Sequence, residues 1–155
     1  MAKDIVLQVA GSKHSVKSDH VQLRRSEVER MIDVTPGRVR FYVDQGVIPA
    51  FEPAKGRGFE RPYSSREVFI LAIAAEMSRF GVSLELTKRF IRHLTDYETS
   101  VIDVENYRDD GFRPLAFISS NTFSVKFLVD DFNMLISSGV TCVINFSSIF
   151  KAIDW

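Results

Sequence analysis

The chain has 155 residues, of which 45% are hydrophobic and 26% charged, with a formal net charge of zero; these values fit one globular domain, or one small domain with an appendage. A single cysteine, Cys142, excludes disulfide frameworks and cysteine-based zinc sites within one chain and makes a reducing cytoplasm the expected compartment. No run of about 18 apolar residues occurs, and the N-terminus lacks a basic segment leading into a long apolar one, so neither a transmembrane span nor a signal peptide is expected.

The zero net charge hides a division. Residues 21–95 carry +4, residues 96–155 carry −5, and the first 20 carry +1. A basic middle suggests a part that meets a polyanion and an acidic tail suggests one that does not, although chance also produces such splits.

Residues 1–21 hold one brief apolar run, Ile5-Val6-Leu7, within a polar Gly/Ser/Lys stretch, and read as a mobile arm. Ser26-Glu27-Val28-Glu29 has the form of a capping box, and Val28, Met31 and Ile32 follow at helical spacing, which predicts a first helix over 26–32. Asp33-Val34 makes a turn. Thr35 is a candidate N-cap, Pro36 suits the first helical position, and Gly46 suits a left-handed C-cap, so a second helix is predicted between them. Two short helices joined by a tight turn form a helix-turn-helix candidate.

Residues 48–63 place two short candidate strands, Ile48–Glu52 and Phe59–Tyr63, around the basic tip Lys55-Gly56-Arg57-Gly58, the pattern of a β-wing. Ser64-Ser65-Arg66-Glu67 repeats the capping-box form before an apolar helix that ends at Gly81. Ser83 caps a fourth helix in which Leu86, Phe90 and Leu94 recur every four residues, with Lys88, Arg89 and Arg92 on the wet side. An acidic connector spans 96–112. Beyond it, Leu115–Ser119, Phe123–Val129 and Val140–Phe146 read as strands, and Ser147–Ile153 as a closing helical turn or two. The phenylalanines of this tail suit a small second core. Its three strands need a cover, from the fourth helix, a second copy or another protein.

Plotted at 100° per residue, the second helix buries Val39, Tyr42 and Val43 and turns Pro36, Gly37, Arg40, Phe41 and Asp44 outward, with Arg38 and Gln45 at the boundary. An outward arginine beside an outward ring suits a helix lying in the major groove. The guanidinium can bond a guanine edge or a phosphate, and the ring can pack on a sugar or a thymine methyl. The alternative is a ring packed under the wing and a merely solvated arginine. Arg57 between glycines at the hairpin tip, with Arg61 two residues before Tyr63, adds a second basic element suited to phosphate or minor-groove contacts.

These residues resemble the MerR family of winged helix-turn-helix regulators from Gln22 to about Thr95. The likeness covers RSEVERMIDVTPGRVRFYVDQGVIPA, then GRGFERPYSSREV, then MSRFGVSLELTKRFI, in the family's order. It implies a winged helix-turn-helix domain of four helices plus a β-wing over 22–95. With the tail, whose strand pattern predicts a small antiparallel β-rich module over 113–155 for dimerisation or for binding a protein partner, the expected class is α+β. By the resemblance Arg40 falls on the family's DNA-contacting arginine, Phe41 and Tyr42 on its aromatic pair, and Arg61 and Tyr63 on the wing's basic and aromatic positions. Arg38 stands where the family has a small or polar residue and is a candidate on helix geometry alone. The implied partner is double-stranded DNA and the implied assembly a homodimer on a two-fold site. The family's long coiled coil is not visible, since 96–110 holds no sustained heptads.

No catalytic constellation emerges from His14, His20 and His93, and neither a phosphate-binding glycine loop with lysine nor H-E-x-x-H occurs. No enzyme, cofactor or metal site is expected. The reading is a sequence-specific DNA-binding regulator. Its rivals are a DNA-architectural protein of excision, partition or packaging, and an antitoxin or adaptor that works through the tail.

Overall fold

In the computed structural model, residues 22–48, 61–108, 111–118, 123–127 and 142–155 are described. The predicted arm, the predicted wing tip with Arg57, and the stretch 128–141 lie outside these residues.

Helix α1 spans Arg25–Met31. The predicted Ser26–Glu29 capping box does not form. The Glu27 carboxylate instead accepts the Arg24 amide at 2.7 Å, which starts the helix one residue earlier and places Ser26 inside it. Glu29 is buried and is used elsewhere: its Oε1 accepts the amide of Gly37 at 2.7 Å. A tertiary demand for the carboxylate has overridden a local one.

Asp33 turns the chain with φ 51°, a left-handed conformation that Asp tolerates better than most residues. Helix α2 spans Arg38–Asp44, so it begins later than the Thr35–Pro36 signal predicts. Pro36 lies in the turn before it, and Gly37 is the N-cap at φ 85°. The predicted left-handed exit at Gly46 is present, with φ 69°. There the Val47 amide donates to Tyr42 O and the Gly46 amide to Val43 O, both at 2.9 Å, closing the helix as a Schellman motif.

Helix α3 spans Ser65–Arg79 and opens on the predicted Ser64–Glu67 capping box. Its residues Glu67 to Ala75 are all buried, so it is apolar all round and forms the centre of the molecule. After Gly81, at φ 75°, helix α4 runs Leu84–Tyr97 with Ser83 as its cap and Thr87, Phe90, Ile91 and Leu94 buried. The acidic connector is itself structured as two 3-10 turns, Thr99–Ile102 and Val104–Arg108, which bury Val101, Ile102 and Tyr107.

The tail forms a three-stranded antiparallel sheet of β1 Pro114–Ile118, β2 Phe123–Phe127 and β3 Cys142–Asn145, in the order β2-β1-β3. Ala116 pairs with Val125 on one side and with Ile144 on the other. Helix α5, Phe146–Ala152, follows β3 directly, with the Asn145 side chain accepting the Ser148 amide. The cover that the three strands need comes from within the chain. Phe90 of α4 lies 5.4 Å from Phe123 and stacks on Phe146 at 6.2 Å, and Phe69 of α3 meets Phe150 edge-on at 5.8 Å. Ala116, Ile118, Ile144, Phe146, Ile149 and Ile153 therefore belong to the same buried cluster as Val28, Val39 and Phe69, and not to a second core. The α+β class is borne out.

Candidate nucleic-acid interface

Helix α2 is held to the protein by one face. Val39 is fully buried and Tyr42 is 2% exposed, against Phe41 at 38%. The buried stripe thus leaves Arg40, Phe41 and Asp44 on the open side, together with Pro36 and Gly37 in the preceding turn. The Arg40 side chain is 71% exposed, and its Nε lies 3.4 Å from Asp44 Oδ2. Such an exposed i,i+4 pair is worth only about 0.3–0.5 kcal/mol. Its guanidinium is therefore free to exchange Asp44 for an anionic or guanine-like partner at small cost.

Two partly buried connections fix where this face points. The Glu29–Gly37 hydrogen bond ties the entry of α2 to α1. Arg38 ties α2 to α3: its Nη2 donates to Ser78 Oγ at 2.8 Å, and its Cζ lies 4.9 Å from the ring centroids of both Phe41 and Tyr42. Arg38 is half-buried. The end of α1 is held in turn by Arg79, whose Nη2 donates to Asp33 O at 2.7 Å, and by the Asp154 amide, which donates to Met31 O at 3.1 Å.

At the closing end of the predicted wing, Tyr63 is buried and forms an antiparallel bridge with Leu23, both amide–carbonyl bonds being 2.9 Å. Burial pushes its phenol above the usual tyrosine value, with neighbouring Arg61 pulling the other way. Arg61 is ion-paired with the buried Glu67 carboxylate and lies 5.5 Å over the Tyr63 ring. Glu67 also accepts the Ser64 amide, so one carboxylate braces both the segment at Arg61 and the start of α3.

Of the residues singled out in the sequence, Arg40 and Phe41 share one open surface. Arg38 lies at its inner edge, Tyr42 and Tyr63 are in the core, and Arg61 is engaged by Glu67. Arg57 is outside the described residues. Sequence reasoning missed Glu29 and Ser78 as supports. Glu29 meets a residue eight positions on and Ser78 meets one 40 positions away, separations that no local pattern reports. The stacking of Arg38 on Phe41 and Tyr42 does follow a local signal, since residues three and four apart are neighbours on a helix.

Among the described residues no group of three or more His, Cys, Asp or Glu is placed to hold a metal, and no helix is long and apolar enough to cross a membrane. Residues 23–99 match the family described as MerR HTH family regulatory protein. The match begins just before α1 and ends at the first 3-10 turn, so the sheet and α5 lie beyond it. No curated protein matches the chain.

Proposed function

Through residues 23–99 the chain belongs to the MerR family of helix-turn-helix regulatory proteins, a family of DNA-binding regulators, and on that premise we propose that it is a sequence-specific, non-enzymatic regulator that lays α2 in the major groove of double-stranded DNA. Arg40 bonds a guanine edge or a phosphate, and Phe41 packs on a sugar or a thymine methyl. Arg57 supplies the wing's phosphate or minor-groove contact, and Arg61 joins it only by giving up Glu67 for a phosphate. Tyr42 and Tyr63 support these surfaces from inside. Two copies bind a two-fold site in the cytoplasm.

The observation that supports this reading is the division of α2. One face is sealed against α1 and α3, while the other offers an exposed guanidinium held by an exposed Asp44 and a ring that is 38% exposed.

Selection of bound sequences from a random DNA pool tests it, repeated with Arg40→Ala and Arg57→Ala. The first substitution is expected to erase preference at one or two base pairs. The second should weaken all sequences alike and lower the salt slope of log K by about 1. Unchanged selection and affinity in both variants would overturn the assignment.

A further inference from the structure

Phe41 stands out of a seven-residue helix with part of its ring in solvent. A ring in that position has few neighbours to select one rotamer, and ordering it on binding costs affinity. Among the described residues two side chains stand against it. Tyr42 presents an interplanar angle of 60° at 5.8 Å, and the Arg38 guanidinium lies 4.9 Å from the centroid of each ring. Arg38 is itself immobilised, because Nη2 is bonded to Ser78 Oγ on the last turn of α3 and Tyr42 is sealed in the core. The chain of contacts therefore runs from α3 through Arg38 to the exposed ring.

We infer that Arg38 is a positioning residue, a clamp between Ser78 and Phe41 that sets the ring in its groove-facing orientation before DNA arrives, and that it makes no phosphate contact of its own. The inference rests on the reading that α2 meets DNA through Phe41, and it departs from the helix-wheel expectation that Arg38 reaches the groove. A planar guanidinium suits this task because it can stack on a ring while its edge donates hydrogen bonds. An ammonium at the same place keeps the charge but cannot do both. A half-buried, bonded arginine adds positive potential behind the surface without displacing counterions from the backbone as a phosphate contact does.

The test is a double-mutant cycle on the selected DNA site, with wild type, Arg38→Met, Phe41→Ala and the double variant, each measured over a range of salt. Arg38→Met is expected to weaken binding about three- to tenfold, the cost of ordering one released side chain, with an unchanged salt slope. In the Phe41→Ala background the same substitution should cost less than about twofold, because no ring is left to position. Ser78→Ala changes no residue of α2 or of its open face, removes only the acceptor of the Arg38 Nη2 hydrogen bond, and keeps a strong helix former in α3; it should reproduce much of the Arg38→Met loss. Arg38→Lys should behave as Arg38→Met. A slope lowered by about 1 in Arg38→Met, additive effects of Arg38 and Phe41, or full activity in both Arg38→Lys and Ser78→Ala would each overturn the clamp. If Phe41→Ala and Arg40→Ala bind as wild type does, the groove reading itself fails. If those two lose binding while Arg38→Met and Ser78→Ala do not, only the clamp fails.

Discussion

Phe146→Ala is the sharpest perturbation of the molecule as a whole. Phe146 opens α5, is fully buried, and stacks on Phe90 of α4. It therefore joins the tail to the helices of the DNA-binding family segment. Removing a buried phenyl ring costs about 3–5 kcal/mol through lost transfer energy and the cavity left behind, against a total stability of about 5–15 kcal/mol. In a chain of this length each kcal/mol moves the melting temperature by about 2–4 °C, so a drop of roughly 6–20 °C is expected. Two probes follow the same melt. Far-UV circular dichroism is dominated by α1 to α4, and fluorescence reports Trp155, the sole tryptophan, whose Nε1 donates to Phe150 O at 3.1 Å. Both transitions should fall together. Val143→Ala, on the exposed side of β3, is the control and should move neither by more than about 0.5 kcal/mol. A variant whose tryptophan signal melts early while its helical signal melts as in the wild type would refute the shared core.

Glu29→Ala removes a buried carboxylate that accepts the Gly37 amide and should cost about 1.5–3 kcal/mol in urea unfolding, the range for hydrogen bonds to charged groups. Gly37→Ala meets no heavy atom within 4 Å of the added methyl, so its cost is only that of φ 85°, about 1–2 kcal/mol; a larger loss would contradict the open space around it. Burial raises the phenols of Tyr63 and Tyr107 above the ordinary 10.0, so above about pH 10 the unfolded chain releases protons that the folded chain keeps. Stability should hold below that pH and then fall by up to about 1.4 kcal/mol per pH unit for each tyrosine, which melting curves between pH 8 and 11 will show or refute. Burial likewise raises the Cys142 thiol, so a disulfide reagent at pH 8 should label the folded protein more slowly than the urea-unfolded one.

Local chemistry in the sequence was legible wherever a helix end or face keeps the partners that its own spacing supplies. Ser64 and Glu67 cap α3, Gly46 and Gly81 end their helices in left-handed turns, and Val39 and Tyr42 form the buried stripe of α2. Legibility ended where a side chain is taken by a distant element. Ser26 and Glu29 have the spacing of a capping box, yet Glu29 is claimed by Gly37 across the turn. Thr35 and Pro36 carry the marks of a helix start, yet α2 begins at Arg38 because Gly37 stands at φ 85°, outside the helical region. Periodicity placed Arg40 and Phe41 on the outward face, but it could not say that Arg38 would be drawn back to Ser78. An α3 apolar on every side announced that something must cover it. Which segments would do so depended on the packing of Phe90, Phe123, Phe146 and Phe150, and no short-range pattern encodes that.

The single buried cluster has a practical corollary for anyone dissecting the chain. Severed after the family segment, at about residue 99, α3 and α4 would lose the shelter of Val101, Ile102, Tyr107 and Phe146, leaving Phe69 and Phe90 bare to water. Such a fragment would clump before it could be assayed for DNA binding. The helix-turn-helix half is no detachable cassette, and a chimera built on it must bring along an equivalent lid for those two helices.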